Sequence, residues 1–203
     1  MTTSQSGVPP TIAEKRAEGV ETDHAVDAPF PREFQLDVTE RCNHACVFCS
    51  NPKLIDKRDM DPALARRVIK EAFDAGARMI GIYGTGEPLL VKELASYVGY
   101  AREVGYEYTY LDTNGALATP KLMNPVVDAG LQSVKFSINA GTRETYKAVH
   151  GKDDFELVLK NLRALHSYRA ETKRDLRLYV SMVVTDQVKG EVETLGALVK
   201  PFI

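Results

Sequence analysis

The sequence has no tryptophan, and among its 203 residues no cysteine outside one short segment. It lacks a long apolar run: nothing approaches the about 20 residues that a helix needs to cross a bilayer, so no membrane span is expected. An excess of one charge is missing too. Lys and Arg number 26 against 28 Asp and Glu, a net charge of −2, which gives no global electrostatic case for nucleic acid or an anionic membrane. The N-terminus, Met1-Thr2-Thr3-Ser4-Gln5-Ser6-Gly7, lacks the basic and apolar regions of a signal peptide, and a cytoplasmic location is expected. The three cysteines present, Cys42, Cys46 and Cys49, are too few and too close for a disulfide framework. An apolar fraction of 44% and a charged fraction of 27% are ordinary for a soluble globular protein. They exclude a wholly disordered chain and suit one domain.

Residues 1–30 are polar and punctuated by Pro9-Pro10 and Pro29, and are expected to form a flexible tail ahead of a core domain over 31–203. From there strand and helix signals alternate. Phe34 to Val38 reads as a strand. Asp61-Pro62 starts a helix, Asp61 as cap and Pro62 at the first helical position, and Gly76 ends it. Met79 to Tyr83 is a continuous apolar run, as expected for a strand covered on both faces. Helix patterns over Val91 to Val104, Lys121 to Ala129, Thr142 to Val149 and Phe155 to Arg169 alternate with strands at Glu107 to Leu111, Ser133 to Ile138 and Leu176 to Val184. A last helix starts near Val188. About five βα units on a parallel sheet follow. Periodicity leaves open whether the helices cover one side of a curved sheet or both sides of an open one. The chain stops at Pro201-Phe202-Ile203, just after an apolar helix pattern, as expected of a piece of a longer protein.

The cysteines follow the first strand with the spacing Cys-x3-Cys-x2-Cys. The carboxyl end of a strand is where α/β sheets bind ligands. Three converging thiolates can hold three irons of a 4Fe–4S cube and leave the fourth open to another molecule; a cluster that only carries electrons is more often held by four cysteines. Phe48 would shield such a cluster or offer its face to a flat ring. The alternatives are three buried thiols, an electron carrier, or zinc with a histidine (His24, His44, His150 or His166) as fourth ligand. Structural zinc ligands usually come as two separated pairs, which this spacing is not. Tyr97, Tyr100, Tyr106, Tyr108 and Tyr110, with no basic residues interleaved, read as packing rather than as a nucleic-acid platform.

The Cys42–Cys49 motif, with an aromatic before its last cysteine, resembles that of the radical S-adenosylmethionine superfamily, closest to members that often carry a cysteine-rich C-terminal extension. Three further segments, in matching order, are similar to that family's: Gly84-Thr85-Gly86-Glu87-Pro88 after the second strand, Asp112-Thr113-Asn114-Gly115 after the third, and Ser137-Ile138-Asn139 at the end of the fourth.

The resemblance implies a partial (βα)6 TIM-like barrel, of which about five units are present. It implies an enzyme whose 4Fe–4S cluster, on Cys42, Cys46 and Cys49, cleaves S-adenosylmethionine reductively. The resulting 5′-deoxyadenosyl radical would abstract hydrogen from a peptide, protein or sugar-like substrate. Gly84, Thr85, Gly86 and Glu87 would face the methionyl amine, and Ser137 and Asn139 the ribose. Asn114 and Phe48 would complete the cofactor wall. Thr85 stands where the family usually has glycine. In some relatives an arginine about a dozen residues past the serine pairs with the methionyl carboxylate; Lys147 and His150 occupy that neighbourhood here, where either one substitutes for it or both are surface residues, the reading preferred from sequence. Val183 and Val184 read as core. A small electron donor such as flavodoxin or ferredoxin is the implied partner. No side chain is singled out as catalytic.

Overall fold

The structure, a computed structural model, describes residues 29–203. The expected tail over 1–30 lies outside the described residues except for its last two. Five strands, β1 (Glu33–Leu36), β2 (Met79–Ile82), β3 (Tyr108–Thr113), β4 (Ser133–Ser137) and β5 (Arg177–Ser181), pair in chain order, every neighbour parallel. Among the described residues six helices accompany them: α1 (Pro62–Ala75), α2 (Leu94–Val104), α3 (Pro120–Asp128), α4 (Arg143–His150), α5 (Phe155–Thr172) and α6 (Val192–Val199).

A sheet that adds strands strictly in order, with crossovers of one hand, places its helices on the same face. The contacts agree: α1 packs on α2, α2 on α3, α3 on α5 and α4 on α5. This is the one-sided, barrel-like arrangement, and it settles the choice that periodicity left open.

The register explains why the helix-side face holds. Leu36, Ile82, Leu111, Val134 and Leu178 sit side by side across all five strands, and none is more than 4% exposed. Burying each such side chain contributes about 1.5–3 kcal/mol. Ile80 and Phe136 lie on the same face and are equally buried. The alternate residues are different. Glu33, Gln35, Tyr83, Tyr108, Tyr110, Asp112, Lys135 and Tyr179 point to the opposite, open face and keep part of their surface in solvent. The apolar run at Met79 to Tyr83 is therefore not covered on both faces: Ile80 and Ile82 meet helices, while Gly81 and Tyr83 belong to the open side. Tyr97 and Tyr106 are core residues as expected, but Tyr108 and Tyr110 are open-face residues, because β3 alternates sides residue by residue.

Local chemistry sets the helix ends. The Asp61 carboxylate accepts from the backbone N–H groups of Ala63 (3.0 Å) and Leu64 (2.9 Å), and Pro62 needs no N–H partner. Thr142 caps α4 through a bond from Thr145 N. Two helices begin later than the pattern suggests. Pro88–Leu90 and Lys189–Glu191 form 3₁₀ turns, so α2 starts at Leu94 and α6 at Val192. Among the described residues no helix is long and apolar enough to cross a membrane.

Candidate cofactor site

The cysteine loop leaves β1 and is pinned at both ends. Thr39 bridges to Asp59 in antiparallel fashion, its hydroxyl donating to Asp59 Oδ1 at 2.6 Å. Arg41 grips both oxygens of the same carboxylate, Nε at 2.8 Å and Nη2 at 2.6 Å. That guanidinium holds Asp59 below the usual carboxylate range. Asn51, buried just past the last cysteine, joins two loops: its amide donates to Glu40 O (2.7 Å) and Thr85 O (2.9 Å). The end of α4 docks from the other side, with Ala45 N donating to His150 O (3.1 Å) and Val47 N to Val149 O (2.9 Å).

These elements enclose a cavity of about 300 Å³ at the carboxyl ends of the strands. All the candidate residues line it: Cys42, Cys46, Cys49, Phe48, Gly84, Thr85, Gly86, Glu87, Asn114, Ser137 and Asn139. Tyr83, Asp112, Thr113 and His150 line it as well.

Many of these side chains also hold the site together. Glu87 is buried, and its carboxylate accepts from Thr113 Oγ1 (2.8 Å), Leu89 N (3.1 Å) and Asn114 N (2.9 Å). It thereby ties the loop after β2 to the turn after β3. Burial raises its pKa to about 7 against these three stabilising donors. The glycines serve close approach to the protein itself. A Cβ on Gly84 would meet Asp37 Cγ at 2.0 Å, and one on Gly86 would meet Thr39 O at 2.0 Å. Thr85 is not among the residues of positive φ, so a β-branched residue is unstrained here. Its N–H and hydroxyl both donate to Asp37 Oδ2, at 2.8 and 2.9 Å. Asn139 does lie in the left-handed region, φ 53°. Its amide oxygen accepts from Val183 N at 2.7 Å and its nitrogen donates to Ser137 Oγ at 3.0 Å, joining the ends of β4 and β5. Asn114 donates to Asn43 Oδ1 at 2.8 Å and accepts from Ala116 N at 3.1 Å.

Each cysteine sulfur has a nitrogen beside it. Asn51 N donates toward Cys49 Sγ at 3.3 Å, and Asn114 Nδ2 toward Cys42 Sγ at 3.8 Å. His150 Nδ1 is 3.3 Å from Cys46 Sγ. His150 is not the surface residue that the sequence suggested. It is 1% exposed, stacked on Tyr146 at 4.1 Å between centroids, and its Nε2–H donates to Ile138 O at 2.8 Å. Burial drops its pKa to about 4, so the ring is neutral and Nδ1 is the acceptor that faces the thiol. Lys147, by contrast, is exposed and does not line the cavity. Val183 and Val184 are 44% and 58% exposed and so are not core. His44 turns under the loop to donate from Nε2 to Asp154 Oδ2 at 3.0 Å. Burial lowers its pKa despite that carboxylate, which makes this a hydrogen bond of a neutral ring rather than an ion pair, and leaves Nδ1 buried without a partner.

The thiols of Cys42 and Cys46 are tuned to stay protonated in the absence of a metal. Burial, then the neighbouring Cys42 and Cys49, push Cys46 up to about 12. Burial raises Cys42 as well. Such thiols become thiolates when a cation takes the proton's place. Three cysteines on one cavity, two of them approached by N–H donors, fit a cluster held by three cysteines, because N–H groups aimed at sulfur are a usual means of supporting cluster ligands. Cys46, His44 and His150 also bring their ligand atoms within 4.8 Å of one another.

Asp37, Asn51 and His150 were not foreseen in these roles. Asp37 and Asn51 carry no spacing signal, since their partners lie 48 and 34 residues away. His150 stood out as a candidate zinc ligand and as a residue near the position where some relatives have arginine, not as a partner of Cys46.

Comparison with known proteins shows the family and the fold. A PqqA peptide cyclase from Xanthomonas euvesicatoria pv. vesicatoria (strain 85-10) is 35% identical over 113 residues, covering 55% of this chain and 30% of the relative. A probable GTP 3′,8-cyclase from Methanothermobacter marburgensis is 31% identical over 126 residues, covering 62% of this chain and 41% of the relative. The chain thus spans about a third of the length of the curated relatives it matches. Among solved structures, Streptococcus suis SuiB bound to S-adenosylmethionine superposes with a TM-score of 0.69 at 20% identity, over 84% of this chain and 38% of that one; this shows a shared fold. Residues 36–197, from the end of β1 into α6, match the Radical SAM superfamily, and the chain belongs to that superfamily.

Proposed function

We propose that the protein is a radical S-adenosylmethionine enzyme whose cluster sits on Cys42, Cys46 and Cys49. The observation that carries this is the convergence of the three cysteines with the Gly84–Glu87, Asn114 and Ser137–Asn139 segments on one cavity. With a 4Fe–4S cluster and S-adenosylmethionine bound, such a site supplies one-electron cleavage of the sulfonium and a 5′-deoxyadenosyl radical that takes hydrogen from a substrate.

The chain's own residues prepare for that. The ring of Phe48 lines the cavity beside the three cysteines and covers part of the cluster side. Gly84, Thr85 and Gly86, fixed by Asp37 and Asn51, offer a rigid backbone wall to the methionyl end. Glu87 sets the distance between that wall and Asn114 through its three accepted hydrogen bonds. Ser137 and Asn139, already bonded to each other, present a hydroxyl and an amide suited to a ribose. The substrate belongs on the open face of the sheet, where Asp112 lines both this cavity and a second hollow walled by Tyr108, Tyr110 and Lys135. Those groups suit a polar substrate, peptide or small molecule.

The test is anaerobic reconstitution of the full-length protein with iron and sulfide, then reduction in the presence of S-adenosylmethionine. Release of 5′-deoxyadenosine is expected; a loaded cluster that never cleaves S-adenosylmethionine would sink the reading. A second reading has one observation behind it. The approach of His44, Cys46 and His150 favours a single metal ion, and anaerobically purified protein with one zinc and no iron or sulfide would establish it.

A further inference from the structure

Two buried histidines meet beside Cys46. His44 lies within the cysteine loop and His150 ends α4; both are buried. Their rings stand edge to face at 5.2 Å between centroids, and Tyr146 packs against both, 4.1 Å from His150 and 6.1 Å from His44. One nitrogen of each ring and the Cys46 sulfur lie within 4.8 Å of one another.

Each ring spends the same nitrogen on an acceptor. His44 Nε2–H donates to the Asp154 carboxylate at 3.0 Å, and His150 Nε2–H to Ile138 O at 2.8 Å. Both rings are neutral, so each keeps its lone pair at Nδ1. His150 Nδ1 stands 3.3 Å from Cys46 Sγ, and His44 Nδ1 is buried with no hydrogen-bond partner. Asp154 occupies the cap position of α5 yet makes no side-chain cap bond. Its carboxylate turns to His44 instead, so a favourable helix start is given up to orient this ring. Buried polar atoms are ordinarily hydrogen-bonded. A histidine with one nitrogen bonded to a carboxylate or carbonyl and the other left free is oriented as metal-ligating histidines are.

We propose that the cluster-free protein binds one soft divalent cation, zinc by its donor set, on His44 Nδ1, Cys46 Sγ and His150 Nδ1, and that this ion leaves before the cluster is built. Two neutral imidazoles and a thiolate suit zinc, whereas hard cations take oxygen ligands. Three protein ligands leave a fourth position for water or for one of the other thiols. Binding replaces the Cys46 thiol proton, which goes to solvent, and no electron moves. The exclusion half of the proposal rests on the cluster function proposed above: Cys46 belongs to both ligand sets, so loading of the redox cofactor waits on removal of the ion. Ion and cluster thus alternate on one chain, which separates this proposal from a protein that holds a single metal ion and never a cluster.

The experiment uses the full-length protein, stripped of metal and kept anaerobic, with Co2+ as the spectroscopic probe and Zn2+ as its competitor. Co2+ is expected to give the visible bands of a tetrahedral site together with a sulfur-to-cobalt charge-transfer band, and Zn2+ to bleach both. His44→Gln, at a residue outside the lining of the cofactor cavity, should bind Co2+ at least about tenfold more weakly, and Asp154→Ala about tenfold more weakly through the ring it orients. Both variants should take up iron and sulfide as fully as the unaltered protein, which also reports that they fold. Zn2+ added before iron and sulfide should suppress cluster formation in the unaltered protein and leave His44→Gln unaffected. Cobalt bands unchanged in His44→Gln overturn the proposal, because the ion would then sit on the cysteines alone. Zinc and a full cluster together on one chain overturn it as well. So does loss of both Co2+ and cluster in the two variants alike, because the residues would then be needed for the loop itself. If the unaltered protein loads a cluster but binds no Co2+, the ion site fails while the functional reading stands. If it binds Co2+ as described and never loads a cluster, the functional reading and the exclusion half fall together.

Discussion

The two faces of the sheet are made from alternate residues of the same five strands, yet they do different work. On the helix side, Leu36, Ile82, Leu111, Val134 and Leu178 form one apolar row with almost no exposed surface. On the open side the registered neighbours Asp112, Lys135 and Tyr179 are polar or aromatic and keep part of their surface in water. The first face is where folding free energy is gained. The second offers hydrogen-bonding groups, and through Asp112 it reaches the cavity that the three cysteines line. Period-2 alternation lets one short segment serve both.

The largest expected effect lies at the end of the sheet rather than on either face. Cys46→Ala should abolish cluster loading and S-adenosylmethionine cleavage while leaving the far-ultraviolet circular dichroism unchanged; iron and sulfide analysis checks the first and spectroscopy the second. If the fold collapsed, the division between folding face and site would be wrong. Next comes the contrast between faces. Phe136→Ala, at a fully buried position, should cost about 3–5 kcal/mol in urea unfolding. Tyr179→Ala on the open face should cost less than about 1 kcal/mol. Similar values for the two would erase the comparison.

The third test uses pH. Burial lowers His150 from 6.5 to about 4. Between those values the folded protein binds fewer protons than the unfolded chain. The group's contribution is therefore complete above pH 6.5 and is lost as pH falls toward 4. Glu87 runs the other way: raised from 4.5 to about 7, it contributes fully below 4.5 and loses that contribution as pH rises through 7. In the metal-free protein, His150→Gln should flatten the acid limb of the stability profile by on the order of 3 kcal/mol, at about 1.4 kcal/mol per pH unit. Glu87→Gln should flatten the limb between 4.5 and 7. Urea midpoints across pH 4 to 8 measure both. The smallest effect is expected for Lys135→Met. Its 2.6 Å pair with Asp112 is 42% exposed on the lysine side, so stability should move by less than about 1 kcal/mol. A change in substrate KM without a change in stability would sharpen the assignment of the open face to substrate.

The elements and their order were legible in the sequence because they rest on local physics. Asp61-Pro62 announces a helix start and Gly76 announces its end. Several readings needed correction, two of them for the same reason, which is that local pattern does not contain the partner. The apolar stretch at 79–83 looked buried on both sides, and only the in-order strand pairing shows that half of it faces the open side. His150 looked like a surface residue, and only the docking of α4 on the cysteine loop buries it against Cys46.

The sequence by itself determined the βα alternation and the cysteine spacing, since both are written within a few residues of chain. It also marked the segments at 84–88, 112–115 and 137–139. Tertiary structure decided what those segments do to one another. Glu87 proves to be a buried brace as well as a cavity wall, Gly84 and Gly86 make room for Asp37 and Thr39, and Asn139 ties β4 to β5. Each of those roles depends on desolvation or on a contact between residues far apart in the chain, and neither quantity exists until the sheet has closed around them.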